Sequence, residues 1–399
     1  MSKVSKDSRI VKLFLERGVE NVYPDLKPVE KVLLSGKKLK VYLGVDPTGP
    51  TLHIGHAIPL RKLAELQKLG HEIIFLIGDF TAMIGDPTDK SATRVRLTRE
   101  QVLENCKHYK KQASRFVSFR GDNPAKFLFN SKWLGKMRFH DVVELASHFT
   151  VQQMSERDMF ETRLKEGKPV YLHEFLYPLM QGYDTVAMDV DMEIGGNDQT
   201  FNMLAGRTLL KEIKGKEKFV LTTTLLADPT GKKMGKTEGN MITLDDSGEE
   251  MYGKVMSWTD GMIIPGFRLC TDVDVGEIER MEDLMKKGGN PVEYKHQLAY
   301  EVVKTFRSQK EAEAAKEHFR TVHQSHELPE DLPQLKWKKG RTIVDALVDS
   351  KLVSSKSDAR RQIEQGGVKI DGKVVTQQGA EPGKGAVIQK GKRHFVQLV

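Results

Sequence analysis

Two histidines and two lysines, carried by two loops far apart in the chain, are the side chains best equipped for chemistry. His53-Ile-Gly-His56 stands where a short apolar run of β-formers, Val41 to Val45, is broken by Pro47, Gly49 and Pro50, and where a helical pattern begins that runs from Ala57 to Leu69. A strand that turns sharply into a helix offers free backbone N–H groups and the positive end of the helix dipole in one place, which suits a phosphate. His53 and His56 add side-chain donors for the same anion; the plain alternative is that both imidazoles only cap the helix. A second basic loop, Lys232-Lys-Met-Gly-Lys-Thr237, weighs against that alternative.

The elements around these loops read as alternating strands and helices. Glu72 to Gly78 is a continuous apolar run of the kind found in a parallel strand buried on both faces. It leads into the polar stretch Asp79 to Arg94, at a strand carboxyl end, where open α/β sheets place ligands. There Asp86 can hold a cationic amine, and Lys90 and Arg94, four apart, can reach a leaving pyrophosphate; a turn at Gly85-Asp86-Pro87 and a solvated basic face are the alternatives. On a helix from His173 onward, Tyr177, Gln181 and Asp184 share one stripe, so a phenol, an amide and a carboxylate face a polar pocket or water. Pro178 then fits best in the first helical turn, and Pro59 is tolerable only there.

Thr185 to Ile194 reads as a strand ending in Gly195-Gly196-Asn-Asp198-Gln199, a Gly-rich end that lets a nucleotide approach the backbone, with Asp198 on a ribose hydroxyl. A hairpin turn is an equal alternative. Lys126 to Asn130 and Phe219 to Asp228 are strand-like, and 97–150 is otherwise helical. Residues 1–40 read as amphipathic helices facing inward through Ile10, Leu13, Phe14 and Val19, then Val29, Val32 and Leu33. Ser247 to Glu327 is helical, with Val255, Met256, Leu284, Leu298 and Val302 as core positions.

Composition bounds the possibilities. A chain of 399 residues has length for roughly two to three domains. Hydrophobic residues make up 39%, and no uninterrupted apolar run approaches the roughly 18 residues of a membrane helix. Charged residues from Lys3 to Arg17 interrupt any secretory leader, so a cytoplasmic protein without a membrane partner is expected. Cys106 and Cys270 are too few for a disulfide framework or a four-ligand zinc site. The net charge of +8 is unevenly placed: Asp331 to Val399 holds 14 Lys and Arg against 7 Asp and Glu, leaving +1 for the first 330 residues. A basic excess at one end suits a module that meets a polyanion, a solvated tail being the alternative.

That end reads as a separate unit. Leu328 to Gln334, with two prolines, is a linker. From 341 to 399 the pattern gives two short helices, a Gly-Gly break and strands joined at Asp371-Gly372, a good hairpin signal. Lys356, Arg360 and Arg361 lie on one helix and can contact phosphates without reading bases.

Pro47-Thr48 through His53-Ile-Gly-His56, followed downstream by Lys233-Met-Gly-Lys236-Thr237, resembles the two signatures of class I aminoacyl-tRNA synthetases. Gly235 and Thr237 stand where many members carry serines, which leaves both lysines in place. Residues 341–399 resemble the small RNA-binding domain first described in the fourth protein of the small ribosomal subunit. The likeness is nearest to the bacterial-type tyrosyl-tRNA synthetases: Tyr42 and Asp184 match the pair that bonds a substrate phenol, and the tryptophanyl enzymes lack the C-terminal unit.

The resemblance implies an α/β fold: a Rossmann-like parallel-sheet catalytic domain over 1–228, with a dimerising connective insertion at about 130–175. It implies an α-helical tRNA-contacting domain with the second signature over 229–327, a linker over 328–340, and a small α+β RNA-binding domain over 341–399. The implied reaction joins L-tyrosine to tRNA(Tyr) through an adenylate made from ATP with Mg2+, in a homodimer, with no protein-bound metal. By motif position Thr48, His53, Lys90, Arg94, Lys233 and Lys236 surround the phosphates, His56 lies nearer the ribose, and Gly55, Gly196 and Asp198 complete the ATP site. Asp86, Tyr177 and Gln181 hold the ammonium, Gln199 lies near the carboxylate, and Tyr42 and Asp184 take the phenol. An RNA-binding protein built on a retired synthetase would show erosion at His53, His56, Lys233 or Lys236, and none is eroded. A related small-molecule nucleotidyltransferase has no use for the basic C-terminal module.

Overall fold

The computed structural model describes residues 4–86, 97–227, 241–324, 332–353, 355–391 and 394–399, and the chain divides into two compact units, Met1–Lys316 and Glu317–Val399. In the first unit the described residues form one sheet from β1 (Val19–Tyr23), β2 (Lys40–Val45), β3 (Glu72–Ile77), β4 (Lys126–Phe129), β5 (Met192–Gly196) and β6 (Phe219–Thr223), in the spatial order β1-β6-β5-β2-β3-β4. Every neighbouring pair is parallel except β1 on β6. The parallel core runs as expected, and β3 is buried throughout from Ile73 to Ile77, as its continuous apolar run requires. From β2 the chain passes to β3 and β4 on one side, then returns to β5 and β6 on the other. A crevice therefore opens beyond the carboxyl ends of β2 and β5, the switch point at which such sheets bind ligands.

Three helices wall that crevice: Ile54–Lys68 after β2, Leu172–Met188 before β5, and Thr200–Lys214 after β5. The last two cross where neither carries a side chain. A Cβ on Gly182 would stand 3.1 Å from the Gly206 backbone nitrogen, and one on Gly206 would stand 3.3 Å from the Gly182 Cα, so glycine at both sites sets how closely these helices approach.

Several expectations give way. Thr185 to Met188 is the last turn of a helix, not strand; Asp189, at φ 51°, ends that helix in the left-handed region, so β5 starts only at Met192. Pro178 is the seventh residue of its helix and Pro59 the sixth of Ile54–Lys68, both interior and both buried. Each removes one helical N–H, a loss tolerated because packing rather than propensity holds these helices. Residues 19–23 form an edge strand. In the helix Ser8–Glu16 the inward face is Val11, Phe14 and Leu15, while Ile10 and Leu13 face solvent. Leu284 is also exposed. Met154 and Met159, which suit either a subunit contact or an ordinary core, are buried within the chain.

The described residues of the first unit that follow 241 are mainly helical, with Val255, Leu298 and Val302 buried as expected between Gly248–Met256 and Pro291–Phe306, and Phe267 buried on Ile263–Cys270. Arg17 reaches the end of that last helix, where its guanidinium donates to the carbonyls of Phe267 (3.1 Å), Arg268 (3.0 Å), Thr271 (2.6 Å) and Val273 (2.8 Å). A cation on the terminal carbonyls stabilises a helix C-terminus, and Arg61 adds a second guanidinium at the Thr271 carbonyl (2.7 Å).

The second unit is a five-stranded sheet in the order β7-β11-β10-β8-β9, with β7 at Gln334–Leu335, β8 at Val368–Ile370, β9 at Lys373–Val374, β10 at Val387–Lys390 and β11 at His394–Leu398. The helices Ile343–Asp349 and Lys356–Glu364 pack on it through Ile343, Leu347, Ala359 and Ile363. Asp371 and Gly372 both have positive φ (48° and 79°) and join β8 to β9, which is the backbone a tight hairpin needs. Gln334 and Leu335, inside the stretch read as linker, pair with β11.

Candidate active site

At the carboxyl end of β2 the chain turns at Asp46-Pro47-Thr48 and enters the Ile54–Lys68 helix with His53 as its N-cap. His53 Nδ1 accepts from the Gly55 N–H (3.1 Å) and His56 Nδ1 accepts from the His53 N–H (3.2 Å), with the two rings 3.9 Å apart. Both imidazoles therefore do cap the helix. Because each uses Nδ1 as acceptor, each neutral ring carries its proton on Nε2. Thr48, His53, Gly55 and His56 all line a cavity of about 370 Å³. Residues 242–244 are bonded to this same corner: the Ile54 N–H donates to the Ile242 carbonyl (2.9 Å) and the Leu244 N–H to the Leu52 carbonyl (2.8 Å). The chain that follows the second basic loop is thus pinned beside the first signature. Lys233 and Lys236 themselves lie outside the described residues, as do Lys90 and Arg94.

The opposite end of the cavity is formed by side chains with almost no solvent exposure. Tyr42 and Asp184 are both buried there. The Tyr42 hydroxyl meets Thr185 Oγ1 at 3.0 Å. Asp184 accepts from the Trp133 indole at Oδ1 (2.6 Å) and from the Asn130 amide at Oδ2 (3.2 Å). Burial drives the Asp184 carboxyl well above the usual carboxylate range, against the opposing pull of those two donors. Burial likewise raises the Tyr42 phenol well above its ordinary value. Two hydrogen-bonding groups in a dry slot are costly unless a polar ligand satisfies what the protein leaves over.

Between these ends lie the polar residues of the Leu172–Met188 helix and the end of β5. Tyr177 donates to Asp46 Oδ2 (2.9 Å), Thr81 donates to Asp46 Oδ1 (2.7 Å), and Gln181 donates to Glu193 Oε1 (3.2 Å). Asp86 receives the Arg157 guanidinium at Oδ1 (2.8 Å) and the Gln199 amide at Oδ2 (2.8 Å). The carboxylate read as an amine acceptor thus already faces one cation. Gly196 and the exposed Asp198 line the cavity, and a Cβ on Gly196 would fall 2.6 Å from Asp198 Oδ1. The Gly-rich end is a strand-to-helix passage, so the hairpin alternative fails.

The sequence reading named Tyr42, Tyr177, Gln181, Asp184, Asp86, Gln199 and Asp198 from widely separated segments, and one cavity gathers all of them. It passed over Asp46, Asn130, Trp133, Arg157, Glu193 and Lys218, whose roles depend on contacts between segments. Opposite charges in Glu193 and Lys218, each beside a strand-like apolar run, were the available signal for that pair. In the second unit Lys356, Arg360 and Arg361 are exposed on one helix; Lys356 pairs with Asp345 (2.8 Å) and Arg361 with Asp358 (2.6 Å). Among the described residues no group of three or more His, Cys, Asp or Glu is placed to hold a metal ion, and no helix is long and apolar enough to cross a membrane.

Residues 34–324 match the family model of class I tRNA synthetases for tryptophan and tyrosine, and residues 324–398 match that of the tyrosine–tRNA ligase SYY-like C-terminal domain. The tyrosine–tRNA ligase of Thermotoga maritima is 44% identical over 96% of this chain and 96% of its own length, and that of Moorella thermoacetica is 43% identical over 96% and 94%. The crystal structure of a C-terminally truncated mitochondrial tyrosyl-tRNA synthetase from Aspergillus nidulans superposes with a TM-score of 0.66 at 26% identity, covering 78% of this chain and 94% of that one. The Archaeoglobus fulgidus tyrosyl-tRNA synthetase complexed with L-tyrosine shares the fold at 22% identity, with a TM-score of 0.61 over 76% of this chain and 98% of that one. Similarity of this depth, extending through the C-terminal module that separates tyrosyl from tryptophanyl enzymes, makes the chain a member of the tyrosine–tRNA ligase family of class I aminoacyl-tRNA synthetases.

Proposed function

We propose that this protein activates L-tyrosine with MgATP, forming tyrosyl adenylate and pyrophosphate, and then transfers tyrosine to the 3′ end of tRNA(Tyr). The observation that carries the reading is one cavity with two unlike ends: a dry end holding Tyr42 and Asp184, and an open end at the helix N-terminus capped by His53 and His56. The first end fits a phenol, the second a triphosphate, and the distance between them is spanned by polar side chains suited to an amino acid's charged groups.

In the first step a tyrosine carboxylate oxygen attacks the α-phosphorus and pyrophosphate leaves. The nucleophile is already an anion, so positioning and charge stabilisation supply the catalysis. Tyr42 and Asp184 hold the phenol; Asp86, Tyr177 and Gln181 hold the ammonium; Gln199 lies by the carboxylate. His53, Thr48, Lys90, Arg94, Lys233 and Lys236 take the departing phosphates, while Gly55, His56, Gly196 and Asp198 hold the adenosine. Magnesium enters with the nucleotide. In the second step a terminal ribose hydroxyl attacks the tyrosyl carbonyl and AMP leaves.

The domains follow the same reading: 1–228 catalytic, 229–327 helical and tRNA-contacting, 328–340 a linker, and 341–399 bound to RNA phosphates through Lys356, Arg360 and Arg361. A second copy of the chain covers the insertion at 130–175, in a cytoplasmic homodimer. What supports the dimer is a run of exposed apolar side chains on consecutive helices there: Phe139 (83%), Val143, Val151, Leu164 and Leu172 (84%). Pyrophosphate exchange into ATP, run with each of the twenty amino acids and no tRNA, tests the assignment. Tyrosine alone should support exchange; equal exchange with tryptophan, or none with tyrosine, would refute it.

A further inference from the structure

Glu193 on β5 and Lys218, the residue before β6, form an ion pair with neither partner exposed to solvent, the Lys218 ammonium bonding Glu193 Oε2. Such a pair is not explained by stability. Withdrawing two charges from water costs several kcal/mol per ion by common estimates, and well-packed apolar residues of equal volume generally serve the fold as well. The rest of the neighbourhood is also arranged to keep the ammonium: a Cβ on Gly206 would come within 2.8 Å of both Lys218 Nζ and Thr185 Oγ1, so glycine there leaves the space in which these two atoms meet.

Each partner of the pair touches a different side of the amino-acid pocket. Glu193 Oε1 accepts from Gln181 (3.2 Å), and Lys218 donates to Thr185 Oγ1 (3.0 Å), which in turn meets the Tyr42 hydroxyl (3.0 Å). The Lys218 ammonium also lies 5.9 Å from the centre of the Tyr42 ring. A threonine hydroxyl has one proton to give and two lone pairs. With a lone pair occupied by an ammonium that can only donate, the Thr185 proton is favoured to point at the Tyr42 oxygen. Tyr42 then keeps its own proton for an acceptor other than Thr185, and the nearby Glu193 carboxylate favours that protonated phenol.

We propose that Glu193 and Lys218 are a positioning pair that sets the direction of the hydrogen bonds at the phenol end of the pocket: Lys218, through Thr185, leaves the Tyr42 O–H to donate to the substrate's phenol oxygen, while Glu193 fixes Gln181. The proposal rests on tyrosine occupying this cavity as argued above. Lys218 does not line the cavity and acts through Thr185; Glu193 borders it and acts through Gln181.

Two variants separate this from a structural role. Thr185→Val keeps the ion pair and the volume but removes the hydroxyl that transmits it; Lys218→Met with Glu193→Gln removes both charges together and leaves an acceptor for Gln181. In pyrophosphate exchange both should raise the KM for tyrosine and lower the preference for tyrosine over phenylalanine by about tenfold or more, the worth of one directed hydrogen bond, with the KM for ATP unchanged. Thr185→Ser, which restores the hydroxyl, should return the wild-type preference. An unshifted tyrosine-to-phenylalanine ratio in Thr185→Val, or parallel losses for tyrosine and ATP that follow a fall in Tm, would overturn the proposal while the functional reading stands. No tyrosine-dependent exchange by the unaltered protein would overturn both, and Thr185→Val decides the matter should the double variant fail to fold.

Discussion

The Trp133 indole N–H donates to Asp184 Oδ1 at 2.6 Å, so a residue from the short helix after β4 holds the carboxylate at the dry end of the cavity. Trp133→Phe keeps the ring and removes this donor. A hydrogen bond of ordinary strength is worth about 0.5–1.5 kcal/mol, so the KM for tyrosine should rise roughly 2- to 10-fold with the KM for ATP unaltered. Steady-state exchange kinetics measure both, and an unchanged tyrosine KM would remove Trp133 from the site.

His53 caps a helix and lines the end of the same cavity that we assign to the nucleotide, and one substitution separates the two tasks. His53→Asn retains an N-cap acceptor but places no Nε2–H at the phosphates. Thermal stability should stay near wild type while kcat for adenylate formation falls on the order of 100-fold. Full activity in this variant would leave capping as its whole purpose.

If the apolar face on the insertion is a subunit interface, charges there should split it. Phe139→Asp combined with Leu172→Asp replaces two side chains that are 83% and 84% exposed, so the isolated fold should tolerate them. Sedimentation equilibrium should report a dimer for the wild type and a monomer for the variant; a wild-type monomer at micromolar concentration would end the dimer proposal.

Truncation after Gln324 removes the sheet of the second unit. Exchange with tyrosine should persist within about twofold, whereas aminoacylation should drop by roughly tenfold or more and lose much of its salt dependence. Loss of exchange as well would mean the unit supports the catalytic fold.

His71 is a buried imidazole whose Nδ1 accepts from the Leu39 N–H (3.2 Å) and whose Nε2 has no partner. Burial, with help from the Lys38 charge and against that of Asp191, lowers its pKa to about 4 from the usual 6.5. Between those values the unfolded chain binds a proton that the folded chain refuses, so stability falls as pH drops from 6.5 toward 4. His71→Gln keeps an acceptor for Leu39 and does not titrate. Its Tm should vary less than that of the wild type over this window, and identical profiles would exclude His71 as a source of acid sensitivity.

The geometry of the His53 end of the cavity was legible because it is local: a strand, two prolines and a helix-opening His-Ile-Gly-His are contiguous, and backbone geometry follows from them. The Tyr177, Gln181 and Asp184 stripe was legible for the same reason, being a helical period. The helix continued beyond Asp184 because Val186 and Met188 bury against their neighbours, which outweighs the strand preference of a short Thr-Val-Ala-Met segment. β1 escaped notice because Val-Glu-Asn-Val-Tyr is short and half polar, and only its pairing with β6 makes it a strand. Trp133, Asn130 and Arg157 could not be assigned from the sequence, since each acts on a residue brought near only by folding, and opposite charges were the one signal for Glu193 and Lys218.

Arg17 carries a consequence for how the protein is handled. Its guanidinium clasps four carbonyls at the end of the Ile263–Cys270 helix, about 250 positions away along the chain. Trimming the amino terminus through Arg17 would therefore strip these bonds from the far helical region, and a loss of stability that surfaced there would have its origin about 250 positions earlier in the chain.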